Sequence, residues 1–190
     1  YMKSEMDVGK QCIIVYPLVE ETEKSDLKAA EEAFTDLSTG EFSDFSVGLL
    51  HGRMKKDEKF DIMGKFSKNE IHLLISTTVI EVGIDVPNAT VMVVEHADRF
   101  GLTQLHQLRG RVGRGTEKSV CVLVQRKSTE SGLKRLQIME ETNDGFKIAD
   151  EDLLMRGPGA FFSSKQSGFL KYRIADLVRD KTIIREARKA

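Results

Sequence analysis

The chain has 190 residues, of which 40% are hydrophobic and 31% are charged, and its formal net charge is −1 at pH 7. This composition excludes disordered and fibrous proteins and predicts a globular chain that is long enough to bury a hydrophobic core. No apolar stretch approaches the length of a transmembrane helix, and the near-zero net charge excludes a globally basic nucleic-acid-binding protein.

The first two thirds of the chain alternate between strand-like and helix-like patterns. Five apolar runs rich in valine and isoleucine are typical of strands buried on both faces, and they lie at 11–16, 45–50, 72–76, 90–95 and 120–124. Apolar residues at helical spacing lie between these runs, at 26–37, 56–66 and 103–111. Such alternation predicts an α/β fold with a parallel sheet.

The pattern changes after residue 127. Two helices joined by a turn at Asn143-Asp144-Gly145 are predicted, followed by an irregular loop and a final helix, at 130–142, 146–155, 160–172 and 174–190. We therefore predict an α/β domain at 1–127 and, at 128–190, a helical hairpin with a loop and a C-terminal helix. The hairpin has too few apolar residues to fold alone, so we expect it to pack against the domain.

The segment 107–114, Gln-Leu-Arg-Gly-Arg-Val-Gly-Arg, carries three arginines within six residues, with two glycines between them. Positive charges this close repel each other unless they share an anion. A guanidinium group suits phosphate because it is always charged and can donate two parallel hydrogen bonds, and glycine lets the backbone approach the anion. The segment therefore predicts a phosphate site, whose most demanding use is the arginine-finger role.

The geometry of this segment depends on where its helix ends. Gln107 lies one helical turn before Arg111, and Arg111 and Arg114 are three residues apart. Within a helix the two arginines share one face, whereas a helix ending at Gly113 makes them diverge around a turn. The alternative interpretation is a surface helix end whose arginines are favoured by the helix dipole.

Hydroxyl and acidic residues follow the third predicted strand. Thr77 and Thr78 come directly after it, and two hydroxyls at a strand end can bond a backbone phosphate. Asp85, held between Gly83 and Pro87, could accept a hydrogen bond from a ribose hydroxyl. Ligands gather at the carboxyl ends of parallel strands, so we expect a site at this edge of the sheet. The alternative is a plain turn with capping threonines.

An earlier strand ends in His51-Gly52-Arg53, which we expect at the same edge, with Gly52 exposing backbone amides and Arg53 adding charge. Charge is also uneven along the chain. Residues 99–127 hold seven Lys and Arg against one acid, a balance of +6, and residues 20–36 hold seven acids against two lysines, a balance of −5. A local basic patch can attract a polyanion, and its alternative is an ordinary solvated loop.

Several residue patterns are missing from the sequence. No G-x-x-x-x-G-K-[ST] loop is present, so the arginines have no phosphate-binding loop of their own and we expect a site shared with another domain. Cys12 and Cys121 lie in strand-like runs, which predicts buried, reduced thiols and a cytoplasmic protein. The four histidines share no metal-ligand spacing, so we expect no metal site. The opening residue, Tyr1, suggests a piece of a longer protein.

Three of these motifs together resemble a known family. Gly52, the stretch 77–87 and the stretch 107–114 resemble motifs IV, V and VI of superfamily 2 helicases, in the order found in their second RecA-like motor domain. The longer string 100–114 resembles two relatives, the RecG family of branch-migration DNA helicases and the transcription-repair coupling factor. The tail resembles the RecG form at Asn143-Asp144-Gly145, Arg156-Gly157-Pro158-Gly159 and Gln166-Ser167-Gly168. This resemblance implies a RecA-like parallel sheet flanked by helices, with an appended helical hairpin and loop.

The resemblance also implies roles for individual residues. Arg111 and Arg114 would contact the γ-phosphate of ATP, with Arg114 as the arginine finger. The remaining nucleotide-binding residues would be Gly83, Asp85 and Gln107, and the DNA-backbone contacts would be His51, Gly52, Arg53, Thr77 and Thr78. Translocation would be coupled through Arg135 and Arg156, which meet in the hairpin, and Gln166 on the loop. The chain departs from the family at Ala160, usually a glutamate, and near Ser163 and Ser164, where a glycine is usual.

By the same resemblance the chain is the C-terminal motor half of an ATP-dependent double-stranded DNA translocase that regresses stalled forks and branch-migrates Holliday junctions. A preceding motor domain would bind most of the ATP and Mg²⁺, so the chain alone would be inactive. Its partners would be branched DNA and the protein's own N-terminal wedge and first RecA-like domain, in a monomer in the bacterial cytoplasm, associated with the nucleoid and not with a membrane. Two alternatives stay open: the translocase module of a transcription-repair coupling factor, and a non-enzymatic nucleic-acid-binding module.

Overall fold

The computed structural model describes residues 1–18, 23–77, 86–115 and 117–156, with the backbone alone described for Arg156. Within these residues five parallel strands form one sheet in the order β2-β3-β1-β4-β5. The strands are β1 (Gln11–Tyr16), β2 (Val47–Leu50), β3 (Leu73–Thr77), β4 (Ala89–Val94) and β5 (Val120–Leu123). The predicted parallel α/β sheet is therefore confirmed, with strand ends shifted by one or two residues.

Helices cover both faces of this sheet. They are α1 (Met2–Asp7), α2 (Glu23–Thr39), α3 (Lys56–Ser67), α4 (Leu102–Arg109), α5 (Glu130–Glu141) and α6 (Gly145–Arg156), and a short 3₁₀ helix spans Ala97–Arg99. The sequence did not predict α1, because Met6 is its only buried residue and so small a helix shows no apolar period. The predicted turn between α5 and α6 is confirmed, and the side chain of Asp144 accepts a hydrogen bond from the amide of Phe146 at 2.8 Å.

Two hydrophobic clusters lie on the two sides of the sheet. One cluster joins alternate residues of β1, β3 and β4 to α1 and α2. The other joins the intervening strand residues to α3, α4 and the hairpin, and it includes Ile138, Met139 and Ile148. The hairpin therefore shares a core with the sheet, which confirms that it packs against the domain.

The fifth strand is not buried on both faces as predicted. It forms an edge of the sheet, and Val120 and Val122 are 37% and 41% exposed. The sequence could not distinguish this edge strand from an internal one, because its four residues are as apolar as those of β1.

The topology gives the sheet two distinct ends. His51 follows β2 and Thr77 is the last residue of β3, and both lie at the carboxyl edge, where Leu50 lies opposite Ser76. Asn88 lies at the amino edge, where its carbonyl accepts a hydrogen bond from the amide of Gln11. Of the stretch 77–87, Thr77 lies at the carboxyl edge and Pro87 lies next to Asn88 at the amino edge, while 78–85 lie outside the described residues, so the expected site there stays a prediction.

Helix α4 runs against the direction of the strands. It follows β4 through the 3₁₀ helix at the carboxyl edge and precedes β5, which begins at the amino edge and is parallel to β4. The segment after α4, with its arginines, therefore lies toward the amino edge, and the sheet separates it from His51 and Thr77. Five or six strand residues span roughly 17–20 Å, which sets the scale of that separation.

Candidate functional site

The arginine-rich segment leaves its helix earlier than predicted. Helix α4 ends at Arg109, and Gly110 caps it with an amide that donates to the carbonyl of His106 at 3.0 Å. Val112 is buried and anchors the following turn to the core. Arg111 and Arg114 therefore belong to a turn after the helix and do not share a helical face.

Two glycines give this turn its path. Gly113 has a φ of +76°, a conformation that side-chain-bearing residues rarely adopt, and a Cβ there would collide with the Oγ of Ser119. A Cβ on Gly115 would lie 2.8 Å from the carbonyl oxygen of Pro87. The turn is thus held against the end of the stretch 77–87, so two segments with predicted nucleotide contacts meet at the amino edge.

The polar side chains around this turn differ in their partners. Among the described residues, Gln107 and Arg111 make no side-chain hydrogen bond or ion pair, whereas the Nε of Arg114 donates to the carbonyl of Gly110 at 3.0 Å. A permanently charged guanidinium beside a close backbone turn can bind a phosphate oxygen through charge-assisted hydrogen bonds. The turn therefore has the chemistry to bind a phosphate group.

Arg109 is not part of this phosphate chemistry. Its Nη1 donates to the carbonyl oxygens of Met139 at 2.7 Å and Thr142 at 3.1 Å, and its Nη2 lies 3.2 Å from the Nδ1 of His106. Arg109 is therefore engaged by backbone carbonyls and stands apart from Arg111 and Arg114, the two predicted phosphate ligands. The sequence did not reveal this, because the carbonyl partners lie 30 and 33 positions further along the chain.

The basic excess of residues 99–127 is also smaller than the sequence predicts. Arg99 forms a two-point ion pair with Asp26 at 2.6 and 2.8 Å, and the hydrogen bond that its guanidinium donates to that carboxylate is the main reason that the pKa of Arg99 is raised. Arg126 forms a similar pair with Glu95, with both contacts at 2.9 Å. Both acids lie outside the counted window, so distant contacts neutralise two of its seven cations.

The carboxyl edge holds a second candidate site. The Nδ1 of His51 and the Oγ1 of Thr77 are buried and have no hydrogen-bond partner among the described residues. Burial lowers the pKa of His51, with Lys59 and Arg53 acting in the same direction and Glu31 opposing them, so the imidazole is mainly neutral near pH 7. A buried polar atom without a partner costs about 1–3 kcal/mol, and a phosphate oxygen is one group that can satisfy it.

The neighbouring residues of this edge are already engaged within the chain. The Nε of Arg53 lies 2.9 Å from a carboxylate oxygen of Glu23, and the carbonyl of Gly52 accepts a hydrogen bond from Lys59. A phosphate at Arg53 would therefore have to compete with Glu23. Four of the predicted site residues lie outside the described residues: Thr78, Gly83, Asp85 and Gln166.

Arg135 connects the hairpin to the segment before α4. Its Nη1 donates to the carbonyl oxygens of Asp98 and Phe100, each at 2.9 Å, and its Nη2 lies 3.3 Å from the Oγ of Ser131. The predicted meeting of Arg135 with Arg156 stays a prediction, because the side chain of Arg156 lies outside the described residues. Sequence reasoning missed the backbone contacts, which have no signature in residue types.

Two further features concern metals and membranes. Within the described residues no group of three or more His, Cys, Asp and Glu side chains is arranged to hold a metal ion. None of the helices in the described part of the chain is long and apolar enough to cross a membrane. The described thiols are free, and burial raises the pKa of Cys12 to about 12 and that of Cys121 to about 11.

Two family models and several curated proteins are similar to this chain. Residues 2–116 match the family model described as "Helicase conserved C-terminal domain", and residues 142–190 match "ATP-dependent DNA helicase RecG, domain 3, C-terminal". Among curated proteins the chain is 48% identical over 189 residues to "ATP-dependent DNA helicase RecG" of Bacillus subtilis and 51% identical over 189 residues to that of Streptococcus pneumoniae. Both alignments cover 100% of the chain and 28% of the relative.

A solved structure is similar as well. "Structure of RecG bound to three-way DNA junction" superimposes with a TM-score of 0.72 at 45% sequence identity, covering 96% of this chain and 23% of that one. The chain thus spans between a quarter and a third of the length of the curated relatives described here. It belongs to the helicase conserved C-terminal domain family, and the RecG-specific match assigns it to the RecG branch of that family.

Proposed function

We propose that this chain is the C-terminal motor half of an ATP-dependent double-stranded DNA translocase that regresses stalled replication forks and branch-migrates Holliday junctions. Support for DNA as the partner comes from a relative at 45% identity whose structure is described as bound to a three-way DNA junction. Support for ATP as the hydrolysed nucleotide comes from relatives that are named ATP-dependent DNA helicases. The RecG-specific match favours this proposal over the coupling-factor alternative.

The observation that carries the proposal is the turn at the amino edge. Gly115 holds it against Pro87, and Gln107 and Arg111 have no side-chain partner among the described residues. In our proposal Arg111 and Arg114 contact the γ-phosphate, with Arg114 as the arginine finger, and Gln107 senses the nucleotide. Gly83 and Asp85 face the ribose. A preceding RecA-like domain, which carries the phosphate-binding loop, holds most of the ATP and its Mg²⁺.

In this proposal the carboxyl edge of the sheet binds the DNA backbone. The buried Nδ1–H of His51 and the hydroxyl of Thr77 each donate a hydrogen bond to a phosphate oxygen of the DNA backbone, assisted by Gly52, Arg53 and Thr78. Residues 128–190 form the coupling part, in which Arg135, Arg156 and Gln166 pass motion to duplex DNA, and residues 1–127 form the motor domain. The whole protein acts as a monomer in the bacterial cytoplasm, on nucleoid DNA, together with its own N-terminal wedge.

Steady-state ATP hydrolysis by the full-length protein tests the proposal. With fork DNA present, Arg114→Ala lowers kcat by roughly a thousandfold, because the charge that develops on the γ-phosphate loses its guanidinium partner. Lys118→Ala removes the same charge four residues further on and leaves kcat unchanged. The chain on its own shows no turnover. Full-length protein that binds DNA but hydrolyses no ATP would instead identify a non-enzymatic binding module, and near-normal turnover by Arg114→Ala would remove the finger assignment.

A further inference from the structure

One stripe of α4 is in contact with the hairpin. The Oγ1 of Thr103 lies 3.1 Å from a carboxylate oxygen of Asp152 in α6. His106 packs against the backbone at the start of α6, since a Cβ on Gly145 would lie 2.9 Å from its Nε2. Arg109 reaches the end of α5. Spacing of three residues puts Thr103, His106 and Arg109 on the same side of the helix.

Arg109 binds the least satisfied part of α5. The last carbonyl groups of a helix have no intrahelical partner, and Arg109 donates to those of Met139 and Thr142. An arginine can only donate hydrogen bonds, so the Nδ1 of His106 accepts from its Nη2, and the ring proton resides on Nε2, facing Gly145. Arg109 and His106 thus form one unit that holds the hairpin turn 142–145 at the final turn of α4.

The other end of α4 is fixed in the reciprocal way. Arg135 of α5 donates to the carbonyls of Asp98 and Phe100, which directly precede α4. A Cβ on Gly132 would lie 3.1 Å from the Cβ of Asp98, so α5 packs closely against the same segment. Each helix therefore supplies one guanidinium that binds backbone at or beside an end of the other: Arg135 binds the segment just before α4, and Arg109 binds the end of α5 and the residue that follows it.

We propose that Arg109 is a positioning residue that transmits motion of the Arg111–Arg114 turn to the hairpin. Only Gly110 separates Arg109 from the Arg111–Arg114 turn. On the other side of the contact, α6 starts at the hairpin turn 142–145 and runs for 12 residues, about 18 Å, back toward the carboxyl edge of the sheet. When a nucleotide moves the turn, Arg109 and His106 carry the start of α6 with it. This inference rests on the proposed function, because it assigns a mechanical role within the same motor.

The test compares ATP consumption with fork unwinding in the full-length protein. Arg109→Ala lowers the number of base pairs unwound per ATP hydrolysed by about tenfold, while DNA-stimulated ATP hydrolysis falls by no more than about threefold. Arg109→Lys, whose single ammonium can replace only part of the guanidinium's contacts, gives an intermediate ratio. The matched control is Arg126→Ala, which removes another arginine whose side chain makes two contacts to Glu95 and, among the described residues, no hydrogen bond to the hairpin, and it keeps the wild-type ratio.

Each outcome decides the inference. A lower ratio with retained ATP hydrolysis supports the positioning role, because loss of folded protein would reduce both activities together and leave the ratio unchanged. An unchanged ratio in Arg109→Ala, or in Arg109→Lys where the alanine variant fails to fold, overturns it. A different result would contradict the proposed function itself: a wild-type protein that shows no DNA-stimulated ATP hydrolysis.

Discussion

The guanidinium groups of Arg109, Arg111 and Arg114 have different partners, and that difference sets what each can do. Arg109 is committed to two carbonyls of the hairpin, and Arg114 is held by the carbonyl of Gly110. Arg111 has no side-chain partner among the described residues. The three arginines carry the same charge, but we assign Arg109 a positioning role and regard Arg111 and Arg114 as candidate phosphate ligands.

The turn that carries the two candidate ligands depends on Gly113. Gly113→Ala destabilises the chain by about 1–3 kcal/mol, because the positive φ strains an alanine and its Cβ meets Ser119. Gly110→Ala is the matched control, since Gly110 has a φ of −70° and the nearest atoms to an added Cβ are 3.5 Å away. We expect it to change stability by less than about 0.5 kcal/mol. Urea unfolding of both variants measures the difference, and equal midpoints would contradict the observed turn.

The partly buried imidazole of His51 makes stability depend on pH. Its pKa is lower in the folded chain than in the unfolded one, so the unfolded state takes up the proton first as pH falls. Stability is therefore lost as pH falls below about 6.5, the ordinary pKa of histidine. His51→Asn shows a smaller loss of melting temperature between pH 7.5 and 5.5 than the wild type, and His96→Asn is the control. A wild-type loss that persists in His51→Asn would contradict the effect of burial.

At the scale of elements, α4 joins the sheet, the arginine turn and the hairpin. Its apolar side, Leu102, Leu105 and Leu108, is buried in the core, and its hairpin-facing stripe carries Thr103 and Arg109. Apolar spacing was enough to predict this helix, but the prediction extended it to 111 although Gly110, the residue after its last turn, is itself a helix stop signal. The backbone contacts of Arg109 and Arg135 could not be predicted, since a carbonyl acceptor has no residue identity.

The attachment of α5 to the segment before α4 can be measured as stability. Arg135→Ala lowers the free energy of unfolding by roughly 1.5–3 kcal/mol, because two carbonyl oxygens in a partly buried contact lose their charged donor. Lys134→Ala removes a neighbouring exposed charge and is expected to have little effect. Thermal unfolding of the two variants separates these cases. A melting temperature for Arg135→Ala equal to that of Lys134→Ala would show that the contact adds nothing.

At the scale of the whole molecule, the sheet separates two candidate sites: the arginine turn at the amino edge, and His51 with Thr77 at the carboxyl edge. The parallel α/β architecture could be predicted, because buried strands and amphipathic helices alternate along the chain. The strand order and the separation of the two sites could not be, because they depend on pairings between strands far apart in sequence, such as β1 with β4. The rule that ligands gather at carboxyl strand ends fits His51 and Thr77, but the arginine turn reaches the amino edge because α4 runs back along the sheet.

The most direct test of this separation measures DNA affinity and ATP turnover on one pair of variants in the full-length protein. Thr77→Val removes a buried hydroxyl at the carboxyl edge and raises the Kd for fork DNA by about five- to tenfold, with kcat at saturating DNA unchanged. Arg111→Ala lowers kcat by at least about a hundredfold and leaves the Kd for DNA, measured without nucleotide, within about threefold of the wild type. Two variants that each lost DNA affinity and turnover in equal proportion would contradict the account.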